Sequence, residues 1–520
     1  MQRITLDNFR VFSTPTAFDL APVTLLTGKN NSGKSSLIKA FLVLADYLDQ
    51  GDHTVLRLDG PRAAKHKITS FGQLLNREQS HSGRADVRLS YTKGQYEFSY
   101  EFDANEDGLS ITASLRRFQM LNLASYAEMT VTREPGYYHL EVKQQFINEV
   151  TDTDRGDMYY NVLNEYEDGT TGMDQMLKRV SALDATQDDH MELESAMLGG
   201  TPPASYQRAK NVVCSAQIRL QELQNDSPSL SRLIQYGLIK YIGADDERRQ
   251  QQFRFGLGGE RKVLVEFIQR INILMQFRPD HLGPNRTYQE RLIRAHASTG
   301  EIARLAEDFV RYQVDKGEGA IAFLTKWLQQ FEIGDSVLVE QLEGTTYRIL
   351  VRQDGQLVNL ADLGFGAGQL LSILLLVAIN IRRQQLEDDL ISFQHNVKLI
   401  VEEPEANLHP RLQSLLAEMF LEAAHHHRLA FLIETHSEYL IRKMQLLLSE
   451  GQYQPEYVVL HYLERTRPEH SPIAHYELDN RVIRIQADGS LTAAFGSGFF
   501  DEATEAVREL NRQQRQNYVK

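Results

Sequence analysis

Residues 28–35 read GKNNSGKS and satisfy the pattern G-x-x-x-x-G-K-[ST] at every position. The string constrains the fold because its flanks have to agree with it. VTLLTG (23–28) is a short apolar run ending in glycine, the mark of a buried strand. SSLIKAFLVLADYL (35–48) spaces its apolar residues for a helix. Strand, loop and helix in that order aim backbone N–H groups and a helix N-terminus at phosphate oxygens. Gly28, Lys29, Asn30, Asn31, Ser32, Gly33, Lys34, Ser35 and Ser36 are therefore candidate nucleotide-binding residues. Lys34 is expected to reach the β- and γ-phosphates, and the Ser35 hydroxyl to bind Mg²⁺.

Such a loop needs an acidic strand beside it, and LIVEEPEANLHP (399–410) supplies one. A buried strand here delivers a carboxylate to the metal, usually an aspartate. Glu402 stands at that place, one methylene longer, and Glu403 follows where a general base for water belongs. FLIETHSEYLIRKM (431–444) repeats the form of apolar strand, polar turn and helix, with His436 at the strand end, set to contact the γ-phosphate. Farther back, LADLGFGAGQLLSIL (360–374) packs Gly364, Gly366 and Gly368 into five residues before Gln369. Glycine at this density lets a backbone approach a ligand closely. A helix is expected from about Leu370. Its apolar run, LLSILLLVAINI (370–381), is too short to span a bilayer and reads as a buried helix.

The rest of the chain is that of an ordinary globular protein. Of 520 residues, 42% are hydrophobic and 24% charged, enough for two to four domains. The net charge of −14 argues against a protein that coats nucleic acid by bulk electrostatics. Cys214 is the only cysteine, which rules out an internal disulfide and suits a reducing cytoplasm. The opening MQRITLDNFRVF is charged and unlike a signal peptide.

Segments between 86 and 149, such as ADVRLSY, QYEFSYEF and YYHLEVKQQF, alternate as antiparallel hairpins do. Residues 151–194 carry a dozen acids against three lysines and arginines, a solvated stretch. From about 204 to 330 the pattern is helical. Strands return in TYRILV, GQLVNL, YVVLHYLER and RVIRIQ. The outline is an α/β head made from both ends of the chain around a large insertion.

Taken together, GKNNSGKS, the late glycine segment ending in Gln, EEPEANLHP and ETHS resemble the ABC-type ATPases, in the branch of RecF, Rad50 and OLD-like proteins. LHP and ETHS point to that branch. HLGPNRTYQER (281–291) resembles a P-x-R segment of its prokaryotic members, and the GFFD near the C-terminus resembles a closing element of some of them. The resemblance implies an α/β fold: an ABC-type ATPase head with a mixed β-sheet core and an antiparallel β subdomain, plus a large, mainly helical insertion. It divides the chain into an N-terminal lobe (1–150), an acidic linker and helical insertion (151–340), a C-terminal lobe (341–480) and a closing element (481–520).

The resemblance also assigns roles. ATP and Mg²⁺ are the implied cofactors, with Ser35 and Glu402 toward the metal and Glu403 and His436 catalytic. FGAGQ (365–369) takes the place of the LSGGQ signature, so that Gly366, Gly368 and Gln369 would cap ATP held by a second copy in a head-to-head homodimer or higher oligomer. Gly366 departs from the pattern, standing where a serine is usual. Gln73 is a candidate for the Q-loop glutamine, and Arg286 and Arg291 for reading the nucleotide state or a ligand.

About 84 residues follow His436 and hold no cluster of metal-binding acids, unlike the OLD nucleases. This favours a cytoplasmic regulatory ATPase of a prokaryotic anti-phage system, similar to those of Septu (PtuA) and PARIS (AriA). A separate effector, nuclease or toxin, would act for it, with DNA as a further partner and no membrane. Two rival expectations are a RecF-like DNA-repair or DNA-clamping ATPase and an ATP-gated scaffold with little hydrolysis.

Overall fold

The computed structural model describes residues 1–63, 67–104, 110–123, 127–149, 206–219, 277–284, 291–294, 301–342, 346–386, 397–466 and 477–496, with a few shorter stretches. Three strands of continuous apolar sequence lie side by side in it: β3 (Val23–Gly28), β16 (Leu399–Glu402) and β17 (Phe431–Glu434). Every residue of the three is buried, as expected for central parallel strands covered on both faces. With β11 (Asp280–Leu282), β18 (Val458–Thr466) and β19 (Glu477–Arg484) they form a six-stranded sheet of order β11-β16-β17-β3-β18-β19. All neighbours pair in parallel except β19, which returns antiparallel on β18.

Helix α1 (Lys34–Asp49) leaves β3. Later in the chain, α6 (Pro410–His427) joins β16 to β17, and α7 (Glu438–Ser449) leads from β17 toward β18. Parallel strands joined by helices put their C-terminal ends, and the loops that follow, in one row.

By its contacts the chain divides into two compact units. One comprises Met1–Ala45, Asn76–Gly83 and Arg278–Lys520, the other Asp46–Leu75 and Arg84–Phe277. The first holds the parallel sheet, the hairpin of β1 (Arg3–Asp7) and β2 (Thr16–Asp19), and the short α2 (Arg77–His81) capped by Asn76. It also holds α3 (Glu301–Arg311), α4 (Glu318–Gln330) and an antiparallel sheet of β12 (Ile293–Arg294), β13 (Ser336–Gln341), β14 (Thr346–Gln353) and β15 (Gln356–Asn359).

The core of this unit forms around α5 (Phe365–Leu386), in which every residue from Gln369 to Ile381 is buried. At 22 residues α5 is long and apolar enough to cross a membrane, but its most apolar window is 78% buried within the protein. An all-round apolar helix inside a large domain needs no bilayer.

The second unit is an antiparallel meander of β5 (Asp86–Lys93), β6 (Tyr96–Ala104), β7 (Thr112–Asn122), β8 (Glu128–Glu134), β9 (Tyr137–Glu149) and β10 (Tyr206–Ile218), with β4 (Val55–Arg57) on β7. Its hairpins follow the alternation seen in the sequence.

β10 corrects the helical reading of 204–330 at residues 206–218. This segment pairs with β9 along its whole length, past a bulge at Val212/Cys214. A long partner strand supplies ladder hydrogen bonds that outweigh weak local propensity. α3 and α4 are helical as read. The acidic stretch, Arg286 and the GFFD segment lie outside the described residues.

Candidate nucleotide site

The loop after β3 takes the curled form that anion binding requires. Gly28, Asn31 and Gly33 have φ of +129°, +61° and +115°, which turn successive N–H groups toward one side. Gly28 is also fixed by packing. A Cβ there would stand 2.0 Å from the Leu463 carbonyl oxygen on the neighbouring β18. The Lys29 N–H donates to that same oxygen, at 3.2 Å, and the Lys29 ammonium pairs with Glu464 at 2.5 Å.

Lys34 is buried, and its Nζ donates to the Gly28 and Lys29 carbonyls at 3.0 and 2.9 Å. Burial lowers its pKa, against the pull of Glu434 and Glu403. Ser35 is exposed at the first turn of α1, while Ser36 is buried, its Oγ accepting from Arg10 Nε at 3.2 Å. The Oγ atoms of Ser32 and Thr27 are buried with no partner. Orphaned donors beside a buried lysine in a curled loop fit a group rich in phosphate oxygens. An exposed hydroxyl at Ser35 and an acidic strand end fit the hard, oxygen-seeking Mg²⁺.

Glu402 and Glu434 end adjacent strands at the same register, and the Thr435 N–H donates to Leu26 of β3 at 2.9 Å. This places two buried carboxyls beside the loop strand, in mutual hydrogen-bond contact. Glu402 also accepts from His281 Nε2 at 2.6 Å. Glu403 stands just past the strand, exposed, with φ +44°. Its N–H donates to the Glu434 carbonyl at 2.8 Å. A left-handed glutamate is strained, and strain of this kind is kept where the neighbours overdetermine it.

His436 is exposed, with its N–H donating to Glu405 Oε1 at 2.6 Å. Its pKa is lowered by partial burial and by Lys34, against Glu403. Burial raises the pKa of Glu405, whose Oε2 has no partner. Lys34, Glu402, Glu403 and His436 therefore do converge, as the sequence suggested.

Three neighbours went unnoticed in the sequence: Glu434, Glu405 and His281. The signal for Glu434 was present, since LIVE and FLIE are two four-residue apolar strands that both end in glutamate. Burial first, then Glu402, pushes the Glu434 pKa up to about 7, with Lys34 opposing. A folded-state value above the unfolded one means that ionisation weakens the fold. The penalty is absent below the ordinary carboxylate value of 4.5, grows as pH rises to about 7 and is constant above. Glu434→Gln removes it. In buffer free of metal and nucleotide, the variant's melting temperature should gain on the native protein's between pH about 5 and about 7.5. A gap independent of pH would mean that Glu434 is already ionised at pH 5.

The glycine segment differs from expectation in two respects. α5 begins at Phe365, so Gly366 and Gly368 lie in its first turn, and the Gly368 N–H already bonds to the Gly364 carbonyl. Glycine is tolerated there because the buried run behind it propagates the helix. Gln369 is only 2% exposed, so its side chain lies against the core of its own chain. Gly364 and Phe365 are exposed and Gly366 is half-buried.

A Cβ on Gly366 would meet the Leu408 side chain at 3.3 Å and the Asn407 carbonyl at 3.4 Å, so a larger residue there would press on the LHP turn. A cleft of about 320 Å³ opens between this turn and the LHP turn, where His409 caps α6 and Pro410 begins it. Gln73 bonds to Thr69 in a local turn, and Arg291 pairs with Asp362 at 2.6 Å.

A family model described as an AAA ATPase domain matches residues 1–171 and 259–441, more than half of the chain. The protein belongs to that family. No curated protein matches the chain. Among solved structures, it is similar to the SMC head domain from Thermotoga maritima, at 9% identity and a TM-score of 0.32, over 92% of this chain and 98% of that one. It is also similar to an Smc head domain with an extended coiled coil bound to the C-terminal domain of ScpA, from Pyrococcus furiosus. There the identity is 11% and the TM-score 0.34, over 98% and 99% of the two chains. At these values the likeness adds nothing to what the sheet and its loops already show.

Proposed function

We propose that this ATPase-family protein binds ATP with Mg²⁺ on loop 28–36 and hydrolyses it. The observation that carries the reading is geometric: β16 and β17 end in Glu402 and Glu434 at one register, Glu403 and His436 follow them, and β17 lies beside β3, whose curled loop holds the buried Lys34. Lys34 holds phosphate oxygens, and Ser35 and Glu402 face the metal. Bound Mg²⁺ would neutralise charge on the phosphates. Glu403 takes the proton of the attacking water, and His436 orients that water or the terminal phosphate. The exposed turn at Gly364–Gly366 offers backbone donors to ATP held by a second copy, so two heads close on two nucleotides.

Its wider role, in this proposal, is that of a cytoplasmic sensor or regulatory subunit in prokaryotic anti-phage defence, acting through a separate effector. The combination of EEPEANLHP, ETHS and the P-x-R-like segment supports that placement. The test is affinity capture of Glu403→Gln protein from its own host with Mg-ATP, read by mass spectrometry against a Lys34→Ala control. Enrichment of a nuclease or other toxic protein is expected. Enrichment of replication or repair proteins with DNA would replace the defence role with a RecF-like one.

A further inference from the structure

We propose that His281 is a positioning residue that aims Glu402 at the metal; this rests on the nucleotide reading of the same site. β11 is a three-residue edge strand whose register sets His281 opposite Ile400, two residues before Glu402. His281 Nε2 donates to Glu402 Oε1 at 2.6 Å, and both residues are buried, 8% and 9% exposed. On its other side Glu402 touches Glu434. One carboxylate oxygen is thus pinned by an imidazole, and its approach to a second acid is fixed.

This contact answers a problem the sequence poses. Glutamate carries one more rotatable bond than the aspartate usual at this place, and a longer side chain aims less sharply. A hydrogen bond from a fixed donor removes that freedom, as partners of metal-bound carboxylates do. The donor is itself held. The neighbouring Asp280 accepts from Arg304 at 3.0 Å, Asn380 at 2.9 Å and Arg383 at 2.6 Å, and Arg383 also pairs with Asp308 at 2.9 Å. Arg304 bonds in addition to the His281 carbonyl, at 3.3 Å. Asn380 and Arg383 belong to α5, the helix that begins at the glycine turn. The strand that carries the imidazole is therefore tied to that helix by partly buried ion pairs and by the buried Asn380–Asp280 hydrogen bond.

The experiment places His281→Ala and His281→Gln in the Glu403→Gln background, where ATP binds without turnover. Binding of a fluorescent ATP analogue is titrated with Mg²⁺ and, separately, in EDTA. His281→Ala should raise the Mg²⁺ concentration for half-maximal binding by about tenfold or more, leaving affinity in EDTA unchanged. Glutamine carries an amide donor at similar reach, so His281→Gln should restore the Mg²⁺ requirement to within about threefold.

A merely structural His281 would lower affinity in EDTA and the melting temperature together, without rescue by glutamine, and that result overturns the proposal. An unchanged Mg²⁺ requirement in the alanine variant overturns it equally. If the parent Glu403→Gln protein binds no ATP, or binds it no better than a Lys34→Ala control does, the nucleotide reading itself fails, whatever the His281 variants show.

Discussion

Lys34→Ala should bind ATP at least about 100-fold more weakly than the native protein, by calorimetry or fluorescent-nucleotide titration with Mg²⁺. A charge-assisted hydrogen bond in a partly desolvated cradle contributes roughly 1.5–3 kcal/mol, and Lys34 is placed to make more than one. About 2.7 kcal/mol corresponds to that 100-fold. The geometry makes the substitution informative. Nζ rests on the Gly28 and Lys29 carbonyls at 3.0 and 2.9 Å, so the ammonium is stored inside the loop that needs it.

Removing Lys34 also leaves Glu434 without its favourable cation, which drives that buried carboxyl further toward its neutral form. The variant should therefore fold, because protonation relieves the lost pairing. Native-like melting with ATP affinity intact would mean that phosphate is not bound at this lysine.

Much of this site was legible because its chemistry is local. GKNNSGKS and its flanks name their own strand, loop and helix, and the structure adds only the φ values that make the turn. The apolar runs VTLLTG, LIVE and FLIE announced buried strands for the same reason: a strand covered on both faces has no polar side to show. What the sequence hid was adjacency. Glu434 matters because β17 lies between β16 and β3, an order no single segment specifies. His281 matters because a three-residue strand 121 positions away from Glu402 joins the same sheet.

The strand β10 was hidden in the same manner, since its partner β9 ends more than fifty residues earlier. Gln369 was misplaced for a smaller reason. Starting the helix at Leu370 leaves the glutamine in a loop, whereas starting it at Phe365 turns the glutamine inward with the apolar face. Five residues of helix end decide which way a side chain points.

Glu403→Gln should lower ATP turnover by about 10²- to 10⁴-fold while sparing ATP affinity, the range expected on removing a general base. The exchange is nearly isosteric, so it isolates the charge. The backbone holds the residue at φ +44° through the Glu434 carbonyl, at 2.8 Å from the Glu403 N–H, and glutamine keeps that bond. His436 then loses the carboxylate that raises its pKa, leaving Lys34 and burial to keep the imidazole neutral. With hydrolysis blocked, two heads should remain closed on two ATPs. Light scattering after size exclusion in Mg-ATP should therefore show a dimer for Glu403→Gln and none for Lys34→Ala. Turnover unchanged in a clean preparation of Glu403→Gln would remove Glu403 from the mechanism. A slow variant that stays monomeric with ATP bound would keep the general base but remove the second copy, and the glycine turn before α5 would need another ligand.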